Sequence, residues 1–161
     1  MPPGAKRINA GDAMDTGHIH VHEATQASEH SQCCVCGTAN QGGLQIQFVP
    51  EGPGRVTASF LGGPTHEGYP GLVHGGVIST LVDGAMTNCL FSLGIRAVTA
   101  ELTVRYLKGV RADREAHVTA WWLRTRGHFH AVQAEIRQND RLVVRAYAKF
   151  MDRPRPRKTA G

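Results

Sequence analysis

The sequence is poor in the features that mark whole classes of protein. Four cysteines in 161 residues are too few for a disulfide scaffold. Aromatics make up 6%, and no cluster of Lys and Arg is interleaved with rings, which argues against nucleic acid as a partner. No run approaches the roughly 18 apolar residues of a membrane span, so no membrane partner is expected. Lys6 and Arg7 are followed by no apolar stretch; neither a secretion signal nor an anchor is readable, and a cytoplasmic location is expected. A glycine-rich phosphate loop is also missing. What is present is 41% hydrophobic and 19% charged, a globular balance sufficient for one core and too short for two.

The net charge of +5 is unevenly spread. Residues 1–30 sum to −2 and read with their Gly, Ala, Thr and His content as a flexible tail; residues 152–161, with Arg153, Arg155, Arg157 and Lys158, sum to +3 and read as a basic, solvated tail. Residues 31–151 keep +4, a modest excess that suits an anionic small ligand.

Within that span the apolar residues change period. Leu44, Ile46 and Phe48 alternate with glutamines, and Val56, Ala58 and Phe60 alternate again after Pro50-Glu51-Gly52-Pro53-Gly54, which predicts two strands joined as a hairpin. Between 74 and 92 the apolar residues Val77, Ile78, Leu81, Val82, Ala85, Cys89 and Leu90 fall three and four apart, the mark of one long, mostly buried helix. Beyond Gly94 only alternation remains, in runs at 98–106, 114–125, 128–139 and 141–151. Gly127 and Asn139-Asp140 suit tight turns, so the last four strands are expected to form a meander. The order β-β-α-β-β-β-β predicts an α+β fold. An antiparallel sheet of about six strands has only this helix to cover its apolar face, and wrapping round it is the natural solution.

Chemistry concentrates at the start of that helix. In Gly71-Leu72-Val73-His74-Gly75-Gly76 two glycines stand where a helix begins, so backbone N–H groups at the positive end of the dipole are open to an oxyanion and a carbonyl can approach closely. Close helix–sheet packing is the other reason to place glycines there. Asp83 stands among Leu81, Val82, Ala85 and Met86, a costly place for a carboxylate without a task. It lies seven residues beyond Gly76 on nearly the same helix face, about 10 Å along the axis. One chain cannot bring both to one carbonyl. Two such helices packed antiparallel in a symmetric dimer can, with Asp83 of each near the glycines of the other.

His74-Gly75-Gly76 followed by Leu81-Val82-Asp83, after Gly68-Tyr69-Pro70-Gly71, resembles the helix signature of hotdog-fold acyl-CoA thioesterases of the PaaI-like group. The strand Thr99 to Lys108 resembles the strand after the helix in that family. The entry Cys34-Val35-Cys36-Gly37, with Asn40, Gly43 and Leu44, resembles what some members carry before the first strand. The resemblance covers about residues 33–151. It implies a hotdog fold, a homodimer or homotetramer and thioester hydrolysis without a cofactor. It also implies that a backbone N–H of Gly75 or Gly76 polarises the carbonyl and that Asp83 acts as general base or nucleophile. The family's helper hydroxyl falls at Thr99, although alternation places Thr99 on the polar face. Many relatives carry a side-chain amide where this sequence has Gly68, and His66 is a candidate substitute.

The physical logic also stands without the family, because a thioester needs little help at its leaving group: an oxyanion site and one carboxylate to activate water suffice. His74 is placed to orient the loop, contact the carbonyl or cap the helix. The nucleotide phosphates of an acyl-CoA would seek surface cations, with Arg105, Lys108, Arg124 and Arg126 as candidates. Met86, Leu90, Phe91 and Phe60 are candidates to line the acyl pocket, and of Trp121 and Trp122, on opposite faces, one is expected in the core and one at an oligomer contact. His117, His128 and His130 have no acidic partner at a telling spacing and read as structural. Cys33 and Cys36 are spaced C-x2-C with His30 three residues earlier, but a second pair is missing, His18, His20 and His22 read as solvated, and no metal is assigned. Two alternatives to hydrolysis stand: an enoyl-CoA hydratase or dehydratase using His66 and Asp83, and a non-catalytic acyl-CoA-binding protein.

Overall fold

The computed structural model describes residues 16–154. In chain order these form α1 (Gly17–Glu29), β1 (Val49–Gly52), β2 (Arg55–Leu61), α2 (Gly75–Phe91), β3 (Ala97–Tyr106), β4 (Glu115–Arg126), β5 (Phe129–Gln138) and β6 (Arg141–Asp152), with one 3-10 turn at Pro64–His66. The six strands make one antiparallel sheet in the order β1-β2-β4-β5-β6-β3. It curves about α2, whose Leu81, Val82, Met86 and Leu90 are fully buried with Val118, Val132, Val144 and Phe150 of the strands. Each such side chain contributes about 1.5–3 kcal/mol by leaving water. This is the expected hotdog arrangement. Among the described residues no helix is long and apolar enough to cross a membrane.

The expected hairpins close where the turn residues stand, with left-handed backbone at Gly127, Asn139 and Asp140. The meander is shorter than expected, however: β4, β5 and β6 are neighbours, while β3 crosses to the far side of β6. The link from β3 to β4 is no tight turn. The buried side chain of Gln138 accepts from Arg111 N–H and donates to the carbonyls of Arg111 and Arg114, which satisfies a loop crossing the end of the sheet. The first hairpin also differs. Residues 44–48 are not a strand, because Leu44 and Ile46 donate their N–H groups to Cys34 and Val35 and Gln45 has φ of 50°; Ile46 and Phe48 are buried all the same. Both tryptophans miss the core: Trp121 lies half-buried under the Arg55 guanidinium and Trp122 is exposed.

The largest correction concerns the tail expected over residues 1–30. Residues 1–15 lie outside the described residues, but 17–29 form α1, packed on the face of α2 that the sheet leaves bare. Its inward residues His22 and Thr25 are buried, so His22 is not solvated: its Nε2 meets Asn88 Oδ1 of α2 at 2.9 Å. The basic tail likewise begins later than expected. Asp152 ends β6, and Arg153 pairs with Glu29 of α1; Arg155, Arg157 and Lys158 lie outside the described residues.

The cover over α2 is tight at Gly84, where an added Cβ would lie 2.5 Å from Val35 Cγ1. Alanine for glycine inside a helix ordinarily gains about 1 kcal/mol. Here Gly84→Ala is expected to destabilise by about 1–3 kcal/mol through overpacking, and Val35→Ala in the same chain to recover much of the loss. Denaturant unfolding of the two single variants and the double variant checks this; a stabilised Gly84→Ala protein would contradict the packing.

Candidate active site

The side of α2 left open by sheet and α1 carries Gly76, Ser79, Thr80 and Asp83, a stripe at helical spacing. Asp83 is half-buried, and its Oδ1 accepts a 2.6 Å hydrogen bond from Thr99 Oγ1 of β3. Alternation along 98–106 predicts Thr99 on the polar face. A bulge between Thr99 and Glu101 reverses it: Thr99 opposes Phe150, whereas Leu102, Val104 and Tyr106 oppose Ala148, Ala146 and Val144, all on the helix side of β6. One extra residue thus turns Thr99 inward.

Burial pushes the Asp83 carboxyl above the usual aspartate range, while the Thr99 hydrogen bond and the nearby His30 pull it back down. The group is therefore held less acidic than a surface aspartate yet keeps a donor for its ionised form.

At the other end of the stripe, His74 caps α2: its Nδ1 accepts the Gly76 N–H at 2.8 Å. Of the two expected oxyanion donors, Gly76 is thereby engaged within the chain. The Gly75 N–H has no protein acceptor among the described residues. A Cβ at Gly75 would touch the Tyr106 ring at 3.6 Å, an ordinary contact, so close helix–sheet packing does not require glycine there. Tyr106 is a site neighbour that the sequence does not predict. Its hydroxyl donates to Gly75 O at 2.9 Å and meets Ser79 Oγ at 2.6 Å, fixing the first turn of α2 to β3; in sequence Tyr106 looked like one more apolar strand residue.

The remaining expected residues scatter. His66 packs edge-on to Phe60, its carbonyl accepts His74 N–H, and its Nδ1 is buried without a partner; it belongs to the Gly75 end of the helix, while Asp83 is eight residues on, about 12 Å. Gly68 is backed by His74, whose ring a Cβ would meet at 3.1 Å, so no side chain fits there without moving the cap. Arg105 pairs with Arg145 on the outer sheet face, whereas Arg126 opposes Phe129, and Phe129 opposes Met151, at the opposite end of the strands. Lys108 follows β3 at the Gly75 end. One chain therefore does not gather these cations. Phe60, Met86, Leu90 and Phe91 are all buried, and of the four only Phe60 borders an open cavity, of about 680 Å³, which His66 also lines. Of the three histidines that read as structural, His130 and His128 share an acidic partner brought by the sheet, His130 Nε2 meeting Asp152 Oδ1 at 2.6 Å and His128 Nδ1 meeting Asp152 Oδ2 at 3.1 Å, whereas His117 Nε2 lies 3.7 Å from Glu115, two residues before it in β4.

With this geometry in view, residues 70–145 match the family model of the thioesterase superfamily. The matched stretch is just under half of the chain and holds α2, β3, β4 and β5. Acyl-coenzyme A thioesterase THEM4 of Rattus norvegicus is 40% identical over 63 residues, covering 39% of this chain and 27% of that protein; the chain thus spans about a quarter of the length of this curated relative. Among solved structures, the E. coli PaaI protein from the phenylacetic acid degradation operon superposes with a TM-score of 0.67 at 19% identity, over 84% of this chain and 95% of that one. A hypothetical thioesterase from Streptococcus pneumoniae, with coenzyme A, gives 0.64 at 21%, over 68% and 87%. That same protein has been crystallised with an aspartate and, sixteen positions later, a threonine each replaced by alanine.

Because folding raises the Asp83 pKa, the folded chain binds this proton more tightly than the unfolded one, and the group's stabilising contribution is present at acid pH and lost as pH rises through its folded pKa. Asp83→Asn is therefore expected to gain stability over wild type at neutral pH and none below the carboxylate range. Thermal midpoints at both pH values check it; a variant less stable at neutral pH would contradict the burial of a charged carboxylate.

Proposed function

We propose that this protein hydrolyses an acyl-CoA thioester as a homodimer whose two sites each combine Asp83 of one subunit with the start of α2 of the other. The observation that carries the reading is the hydrogen-bonded Asp83–Thr99 pair on the open stripe of α2. Its separation of sixteen residues equals that of the aspartate and threonine replaced in the coenzyme A-bound thioesterase structure's protein. THEM4, similar over 63 residues, is named an acyl-coenzyme A thioesterase.

In this reading the thioester carbonyl oxygen lies against the Gly75 N–H, where the helix dipole and the missing side chain favour developing negative charge. Asp83 of the other subunit removes a proton from water, and the resulting hydroxide equivalent attacks the carbonyl carbon. The C–S bond then breaks; the CoA thiolate leaves and takes up a proton, and the acyl group departs as a carboxylate. Thr99 orients the carboxylate so that its second oxygen faces the water. Nucleophilic attack by Asp83 through an anhydride leads to the same products. In the same reading Lys108, two residues beyond the Tyr106 that bonds Gly75, supplies a cation for a phosphate, and Arg105 and Arg126 serve only where the second subunit brings its own edge alongside.

Two observations favour the dimer. The glycines and Asp83 are about 10–12 Å apart along a rigid helix. Moreover, β3 is an edge strand next to which Val98, Tyr106 and Leu107 are 45%, 49% and 44% exposed, a combination that solitary proteins avoid.

A panel of acyl-CoA esters, followed by thiol release, tests the activity and its chain preference. Asp83→Asn is expected to lower kcat about 10²–10⁴-fold with little change in KM; equal activity would remove Asp83 from the chemistry. Loss of absorbance from an enoyl-CoA would instead support a hydratase, and binding without turnover a carrier. Mixing inactive Asp83→Asn and Gly75→Val subunits should restore about a quarter of wild-type activity, since about half of randomly paired dimers carry one intact site of two. Failure to regain activity on proven subunit exchange would place each site within one chain.

A further inference from the structure

The end of α1 and the turn after it bring three metal-binding side chains together. The donor atoms of His30, Cys33 and Cys36 all lie within 4.8 Å of one another, and His30 Nδ1 is 3.8 Å from Cys36 Sγ. A cation at tetrahedral zinc bond lengths draws such donors to about 3.5–3.8 Å apart, close to the separation that this pair already has.

The backbone is shaped for the purpose. Cys33-Cys34-Val35-Cys36-Gly37 folds back on itself, Gly37 N–H donating to Cys33 O at 3.0 Å, and the Val35 N–H points at Cys33 Sγ at 3.4 Å. A Cβ at Gly37 would stand 2.5 Å from Cys33 N and 2.6 Å from Cys33 O, so only glycine closes this turn. From α2, Asn88 Nδ2 donates to Cys36 Sγ at 3.4 Å, with Asn88 in turn held by Gly84 O and His22. Two N–H groups aimed at two sulfurs are what thiolates need and what neutral thiols use poorly. The His30 ring is fixed edge-on against Phe91 at 4.8 Å, which leaves Nδ1 facing the sulfurs.

We propose that His30, Cys33 and Cys36 bind a zinc-class divalent cation, with water as fourth ligand. Two thiolates and one imidazole are the soft-to-borderline set that selects zinc over magnesium or calcium. Binding releases the two thiol protons to solvent. The ion joins α1, the 31–48 segment and, through Asn88, the helix that carries Asp83, so its role is to hold the cover on α2. The absence of a second C-x2-C pair does not count against it, because His30 supplies the third donor.

The test uses the full chain and reads the metal rather than hydrolysis, which keeps it separate from the thioesterase proposal. Reduced, metal-free wild type is expected to take up one Co(II) per chain with a thiolate charge-transfer band, to exchange it for Zn(II), and to unfold at higher temperature with Zn(II) than without. Cys33→Ser and Cys36→Ser should each weaken binding about 10–100-fold or more, whereas Cys34→Ser and Cys89→Ser keep it. If the first two variants do not fold, the wild-type Co(II) spectrum still decides. No charge-transfer band in the reduced wild type, or a Cys33–Cys36 disulfide whose reduced form takes up neither ion, would overturn the site.

Discussion

A helix that is apolar on nearly every side cannot lie on a sheet and face water, and the architecture follows from enclosing α2. From Leu81 onward every residue except Asp83 is buried. The curved sheet encloses one side and supplies the alternating valines and alanines of β4, β5 and β6. The other side needs a second layer, provided by α1 and the Cys33–Phe48 segment through Gly84 against Val35 and Asn88 against His22 and Cys36. Only the stripe from Gly76 to Asp83 stays open, so the enclosure also decides where chemistry can occur.

That division explains which parts were legible. The helix at 75–91 and the four long strands carry strong periods in apolar residues, and their turns carry residues that tolerate left-handed backbone; both signals are local. The buried face of α1 follows a helical spacing too, through His18, Ile19, His22, Thr25, Gln26 and Glu29, but it is written almost wholly in polar residues. Polar residues at that spacing carry no hydrophobic signal, and their burial makes sense only once Asn88 and Arg153 are in place to pair with them. The placement of β3 beside β6 was hidden for the same reason, since the buried Gln138 that accommodates the crossing loop lies in another strand.

The site shows the same limit at finer scale. Asp83, Gly75 and His74 stand out in the sequence as candidates because a carboxylate and paired glycines are unusual on a buried helix. Alternation puts Thr99 on the wrong face because a bulge leaves no mark in it except a fault that looks like noise: Val98 and Ala100 are apolar but stand exposed on β3. The resemblance to thioesterases named Thr99, and the bulge supplies the reason. Tyr106, which ties Gly75 and Ser79 to β3, gave no signal, because its hydroxyl matters only where the helix begins beside it.

Thr99 and Tyr106 together show why this edge of the sheet is more than a wall. β3 runs antiparallel to α2 and touches it at both ends of the open stripe, Thr99 at Asp83 and Tyr106 at Gly75. The bulge lies between them. Without it, either Thr99 or Tyr106 would face away from the helix, because a period of two cannot place residues seven apart on one face. Both contacts require one extra residue in between, at the cost of an irregular ladder and apolar side chains left on an open edge. A second copy that covers this edge would relieve that cost while bringing in the half of the site that one helix is too long to supply. The irregularity in β3, the exposure of its apolar side chains and the separation of Asp83 from Gly75 would thus find a common resolution in the proposed dimer, built on this face.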